Sequence, residues 1–132
     1  MHTGSCLCGA VRFEIDGEIG AAYCCHCSRC RKSNGSAFAV NAPVAAADFR
    51  VVAGAEGLKM FSTAAGVHRS FCGTCCSPIY SRNESYPDIV RIRLGTLDGP
   101  VSGPRMHVFA ASRAEWYEIH DGLPQHAERP AV

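Results

Sequence analysis

The sequence predicts one mainly β domain with a single short helix. Three observations carry that expectation. Apolar and polar residues alternate with period two in short runs, and clusters rich in glycine, proline and aspartate separate those runs. A chain of 132 residues is one domain's worth, able to bury roughly two thirds of the surface its unfolded form exposes.

Taken in order, "AVRFEI" alternates from Val11 to Ile15 and reads as a half-buried strand. The helix follows, from about Cys27 to Asn34, with Gly35 available as its stop. "FRVVA", "LKMFS", "VHRSF" and "PIYS" are further strands, set apart by turns such as "AGAEG". "DIVRIRL" puts Val90, Ile92 and Leu94 on one face; Ile89, Arg91 and Arg93 fall on the other, which is expected to be wet. "RNESYP" and "LDGPVSGP" are turns, "MHVFA" is a last strand, and residues 125–132 are expected to be a loosely held tail. Trp116 is expected to pack.

Composition narrows the function classes. With 47% hydrophobic and 19% charged residues and a formal net charge of +1, the chain has no global field to attract polyanions, so nucleic acid is not an expected partner. No apolar run approaches the ~20 residues of a membrane helix, and no membrane partner is expected. The start, "MHTGSCLCGA", lacks the pattern of a secretory signal, so a cytoplasmic location is expected. Thiols stay reduced there, and nine cysteines in tight pairs point to metal binding in preference to disulfides.

Cys6 and Cys8 are one residue apart, so an extended backbone sends both thiols to the same face. Cys72 and Cys75, in "CGTC", form a knuckle whose turn brings both sulfurs inward. Together they make a closed tetrahedral set for Zn²⁺ that ties the chain's start to its middle. Cys25, Cys27 and Cys30 make a second set of three. Three protein ligands leave one tetrahedral position for water or substrate, which marks a catalytic zinc.

His26 lies between two ligand cysteines and alternates away from them, so it is expected to be an orienting or exposed side chain. His68 and His107 read as hydrogen-bonded structural histidines. Arg29, Arg31 and Lys32 form either a solvated helix face or a receptor for a substrate carboxylate. Cys24 is expected to be a buried, inert thiol, and Cys76 to point past the metal of its neighbour.

At these residues the sequence resembles the glutathione-dependent formaldehyde-activating enzyme family, which also includes centromere protein V. The resemblance rests on "GSCLCGAVRFEIDG", "CHCSRCRKSNGSAF", "FCGTCCSPIYS", "GTLD" and "HVFAASRAEWYEIHDGLP", covering about residues 4–124. It implies a β-tent of short antiparallel strands with two zinc sites: Cys6, Cys8, Cys72 and Cys75 structural, Cys25, Cys27 and Cys30 catalytic. It also implies a carbon–sulfur lyase acting on a formaldehyde adduct of glutathione. The expected partners are then a small thiol such as glutathione and a small aldehyde. Cys76 stands where the family usually has glycine. The rival expectation is a zinc-stabilised protein-binding module without catalysis.

Overall fold

The computed structural model describes residues 1–130. Its strands in chain order are β1 (His2–Ser5), β2 (Arg12–Ile15), β3 (Tyr23–Cys25), β4 (Ala39–Ala45) and β5 (Phe49–Ala53). They continue with β6 (Leu58–Ser62), β7 (Val67–Cys72), β8 (Pro78–Asn83), β9 (Ile89–Arg93) and β10 (Met106–Val108). One α-helix, α1 (Ser28–Asn34), lies between β3 and β4. The mainly β architecture with a short helix is therefore the one the sequence predicts.

The strands make two sheets, a three-stranded one in the order β1-β2-β5 and a seven-stranded one in the order β10-β3-β4-β9-β8-β7-β6. All pairs are antiparallel except β10 with β3, which is parallel and departs from the antiparallel expectation. The long 94–105 connection supplies the crossover that a parallel pair requires.

Each face of the seven-stranded sheet has its own role. Val44, Val90, Ile92 and Ile79 point to one side and pack with Phe13, Ile15 and Phe49 of the smaller sheet, joined by Cys6 and Cys72. Burying side chains of this size stabilises the fold by about 1.5–3 kcal/mol each. On the other side, direct cross-strand neighbours form the row Arg69–Ser81–Arg91–Pro43 through β7, β8, β9 and β4. A second row, Arg93–Asn41–Tyr23, runs beside it.

That second face corrects one expectation. Arg93 is only 5% exposed, and its Nη1 donates to Asn41 Oδ1 at 2.7 Å. The alternation in "DIVRIRL" holds, but distant parts of the chain cover the face it assigns to water. Two further corrections concern the C-terminal region. Trp116 is 70% exposed, meeting Tyr117 edge-on instead of entering the core. The tail is not loose over 124–128: the His107 and Phe109 amides donate to Pro124 and Glu128, and the His126 amide donates to His107. Residues 131 and 132 of that expected tail lie outside the described residues.

Candidate metal centres and the adjoining cavities

The first cysteine cluster joins the loop after β1 to the end of β7. Cys6, Cys8, Cys72 and Cys75 have all four Sγ atoms within 4.8 Å of one another. The Cys6–Cys8 and Cys8–Cys72 separations are 3.6 and 3.8 Å. Thiolates about 2.3 Å from a tetrahedral zinc stand about 3.8 Å apart, so this donor set fits such an ion. Amide donors are already turned toward it: Thr74 and Cys75 donate to Cys72 Sγ at 3.4 and 3.5 Å, and Val11 donates to Cys6 Sγ at 3.3 Å. The Ser77 hydroxyl, with the amides of Cys8 and Ser77, pulls the Cys75 thiol down to about 5.

The second cluster is built by β3 and α1. Cys25 ends the strand and Cys27 caps the helix, its thiol accepting from the Cys30 amide at 3.4 Å. Gly35 closes the helix with φ 63°, its N–H donating to Arg31 O at 2.8 Å. One turn of helix thus brings Cys30 beside the other two, and the three sulfurs lie within 4.8 Å of one another. Hydrogen bonds from Cys25 and then Cys30, aided by the Cys30 and Arg29 amides, pull the Cys27 thiol down to about 2. The same sharing pushes the Cys25 thiol up. Three sulfurs that must share protons in this way are a donor set that a dication suits.

Neither extra cysteine belongs to a cluster. Cys24 is 2% exposed, and burial pushes its thiol up to about 11, in line with an inert thiol. Cys76 is exposed and holds a left-handed backbone, φ 66°.

The three-cysteine cluster borders a cavity of about 640 Å³ on the polar face of the large sheet. Arg29, Arg69, Arg82, Arg91 and Arg129 line it, with no carboxylate among the described residues of its wall. Arg69 Nη2 lies 4.0 Å from Cys30 Sγ, linking the cationic wall to the cluster. Arg91 and Arg129 both stack on Tyr86, 5.4 and 5.7 Å from its ring centre. Of the basic residues singled out from the sequence, Arg29 lines this cavity and Lys32 a neighbouring one. Arg31 lines neither and donates from Nε to His26 O at 3.2 Å, bracing the ligand loop.

Sequence reasoning missed Arg69, Arg82 and Arg129 and assigned Arg91 and Arg93 to solvent. The available signal was the alternation in "VHRSF" and "DIVRIRL", which puts basic residues on one sheet face; it does not say that the faces adjoin. The histidines fall into place differently. His26 is fully buried, its Nε2 2.8 Å from His107 Nδ1, and His107 Nε2 is 2.8 Å from Asp121 Oδ2. His68 bridges Ser62 and Glu84 on a distant hairpin, at 2.7 and 2.9 Å.

Fold and site together define a mainly β protein with two thiol clusters, each able to hold a metal ion. The chain belongs to the glutathione-dependent formaldehyde-activating enzyme family, whose model matches residues 1–112. It is 32% identical over 126 residues to a Halomonas elongata protein provisionally named a glutathione-dependent formaldehyde-activating enzyme, covering 88% of this chain and 79% of that one. An Aspergillus flavus protein with the same provisional name is 32% identical over 81 residues, which is 60% of this chain and 42% of the longer fungal one. Among solved structures, a Rhodobacter sphaeroides protein from a structural genomics programme superposes with a TM-score of 0.65 at 31% identity. That match covers 75% of this chain and 90% of the other. Among the described residues no helix is long and apolar enough to cross a membrane.

Proposed function

We propose that this protein catalyses the reversible addition of glutathione, or a similar anionic thiol, to formaldehyde or another small aldehyde. Read in the cleavage direction, this is a carbon–sulfur lyase. Cys25, Cys27 and Cys30 would hold a catalytic Zn²⁺, and Cys6, Cys8, Cys72 and Cys75 a structural one, in a single domain suited by its free thiols to the reducing cytoplasm. The observation that carries the reading is the three-cysteine cluster opening on a cavity with five arginines and no carboxylate. The names of the bacterial and fungal relatives point to the same thiol and aldehyde.

In the forward direction a sulfur–carbon bond forms, the carbonyl π bond breaks, and the thiol proton ends on the new hydroxyl oxygen. When bound, zinc supplies a Lewis acid that favours the thiolate form of a substrate thiol near neutral pH. The chain's own residues do the rest. Arg29, Arg69, Arg82 and Arg91 are guanidinium forks for the carboxylates of a glutathione-like molecule, fixing its sulfur next to the cluster. Arg93, buried beside them, and Arg69, against Cys30, offset the negative charge that three thiolates bring. Formaldehyde carries no charge for the guanidinium wall to recognise, so the arginines select the thiol and not the aldehyde.

The test is exchange spectroscopy by NMR on a mixture of labelled formaldehyde and glutathione. Wild-type, zinc-loaded protein is expected to raise the interconversion rate of formaldehyde hydrate and S-hydroxymethylglutathione in proportion to its concentration, and Cys30→Ala is not. A wild-type rate equal to the uncatalysed one would leave only the binding role.

A further inference from the structure

A second cavity, of about 600 Å³, adjoins the first and shares Arg29 and Arg69 with it. The three-cysteine cluster does not border it. A different thiol does: Cys76, together with the cations Arg29, Lys32, Arg69 and Arg93. No carboxylate is found among the described residues of its wall.

Two features show that this wall is more than an exposed cysteine near basic residues. Arg93 is 5% exposed, and its Nε has no hydrogen-bond partner although Nη1 is committed to Asn41. A buried guanidinium that lines a cavity, with no carboxylate among the described residues of the wall to balance it, is unusual, and an anion in the cavity is what would offset its charge. The second feature is the backbone at Cys76. Its φ of 66° is a left-handed conformation that glycine adopts freely and a Cβ-bearing residue only uncommonly, fixed here by the Cys76 amide donating to Cys72 O at 2.8 Å. The side chain is exposed, so packing does not repay the choice. A strained residue with a reactive tip beside a cationic cavity points to use of that tip.

We infer that Cys76 is a capture site for disulfides of anionic low-molecular-weight thiols, with the second cavity as the receptor for their carboxylates. The step is thiol–disulfide exchange. The Cys76 sulfur attacks one sulfur of the bound disulfide, the disulfide bond breaks, and a mixed disulfide forms at Cys76. The other half departs as a free thiol carrying the proton that Cys76 gives up. The small disulfide is the only oxidant needed. Because Arg29 and Arg69 border both cavities, the tethered group draws on the same cations that receive the substrate thiol. Capture therefore lowers thiol binding at the three-cysteine site, and a reductant restores it. The choice of glutathione as the thiol rests on the proposed function; the capture site does not otherwise depend on it.

Charge selectivity is the deciding measurement. Zinc-loaded protein is treated with glutathione disulfide or with uncharged bis(2-hydroxyethyl) disulfide, and adduct formation is followed by intact mass and peptide mapping. Each rate is divided by the rate of the same disulfide with N-acetylcysteine amide, a free neutral thiol. The expected result is one adduct, at Cys76, released by dithiothreitol. Its normalised rate is expected to favour the anionic disulfide by about tenfold or more at low salt, with the preference shrinking at high salt. Lys32→Gln and Arg69→Gln should each reduce the preference, and Cys76→Gly should form no adduct. A normalised preference near one, or adducts on Cys25, Cys27 or Cys30 with Cys76 unmodified, would overturn the inference. If Cys76→Gly still gives the glutathione-dependent metal spectrum described below while wild type shows no charge preference, the capture site fails and the proposed function stands.

Discussion

Replacing Cys72 with alanine separates the two cysteine clusters by their contribution to stability. Cys8 and Cys72 are 64 positions apart in sequence and 3.8 Å apart at their sulfurs. An ion joining them closes that loop in the unfolded chain as well, which removes about 4 kcal/mol of unfolded-state entropy at 25 °C by the loop-closure relation. The stretch from Cys25 to Cys30 is short, and closing it contributes only about 2 kcal/mol by the same relation. For a chain of 132 residues, about 3–5 °C of melting temperature accompanies each kcal/mol, so Cys72→Ala is expected to melt about 12–20 °C below wild type. Cys30→Ala should lose roughly half as much, since alanine suits the helix it would join. Circular dichroism melts of the zinc-loaded proteins measure both, and a strong chelator should bring wild type down toward Cys72→Ala. If Cys30→Ala melts as low as Cys72→Ala or lower, the four-cysteine cluster is not the one that ties the fold together.

Three other outcomes follow from the same geometry. Arg91→Gln removes a half-buried guanidinium from the cavity wall; a charge-assisted hydrogen bond at its weaker end is about 1.5 kcal/mol, so KM for glutathione should rise about tenfold with kcat changed less, read from initial rates. Arg93→Met leaves the buried Asn41 Oδ1 without its donor and should cost about 1–3 kcal/mol in urea melts, while adding Asn41→Leu should recover most of it. The hydrogen bond from His107 holds the Asp121 carboxyl below the usual range. A depressed carboxyl stabilises the folded state above its unfolded pKa of about 3.9 and loses that contribution as pH falls through its lower folded value. Melting temperatures of wild type and Asp121→Ala should therefore differ by a constant amount above about pH 5 and converge below the unfolded pKa.

The parts of the protein written in local geometry were legible in the sequence. Thiol spacing fixes which sulfurs share a side, and the two clusters have the memberships that spacing predicts. β5 and β6 match "FRVVA" and "LKMFS" residue for residue, and α1 starts one residue after its Cys27 cap. β4 was not legible, because "AVNAPVA" does not alternate cleanly and places Pro43 inside a central strand. The proline is tolerated there because β3 pairs only with Ala39, Val40 and Asn41, so no β3 partner awaits its missing N–H. Arg93 failed for a different reason. Its alternation was read correctly, but what surrounds a sheet face is decided by segments far away in sequence, here Asn41, which accepts from Arg93, and Cys30 and Cys25, whose charges act on it. The cationic cavity is likewise a product of strand order: Arg69 and Arg91 align only because β8 lies between β7 and β9.

The most direct test of an open, thiol-binding metal site is the spectrum of cobalt-substituted protein on addition of glutathione. A new sulfur entering the coordination of Cys25, Cys27 and Cys30 changes the thiolate charge-transfer and ligand-field bands, and a thiol bound elsewhere leaves them unchanged. The expected result is a saturable change in wild type that persists in Cys76→Ala and is lost in Cys30→Ala. A silent wild type together with a responsive Cys76→Ala would contradict it, because Cys76 would then be the cap on a closed metal site.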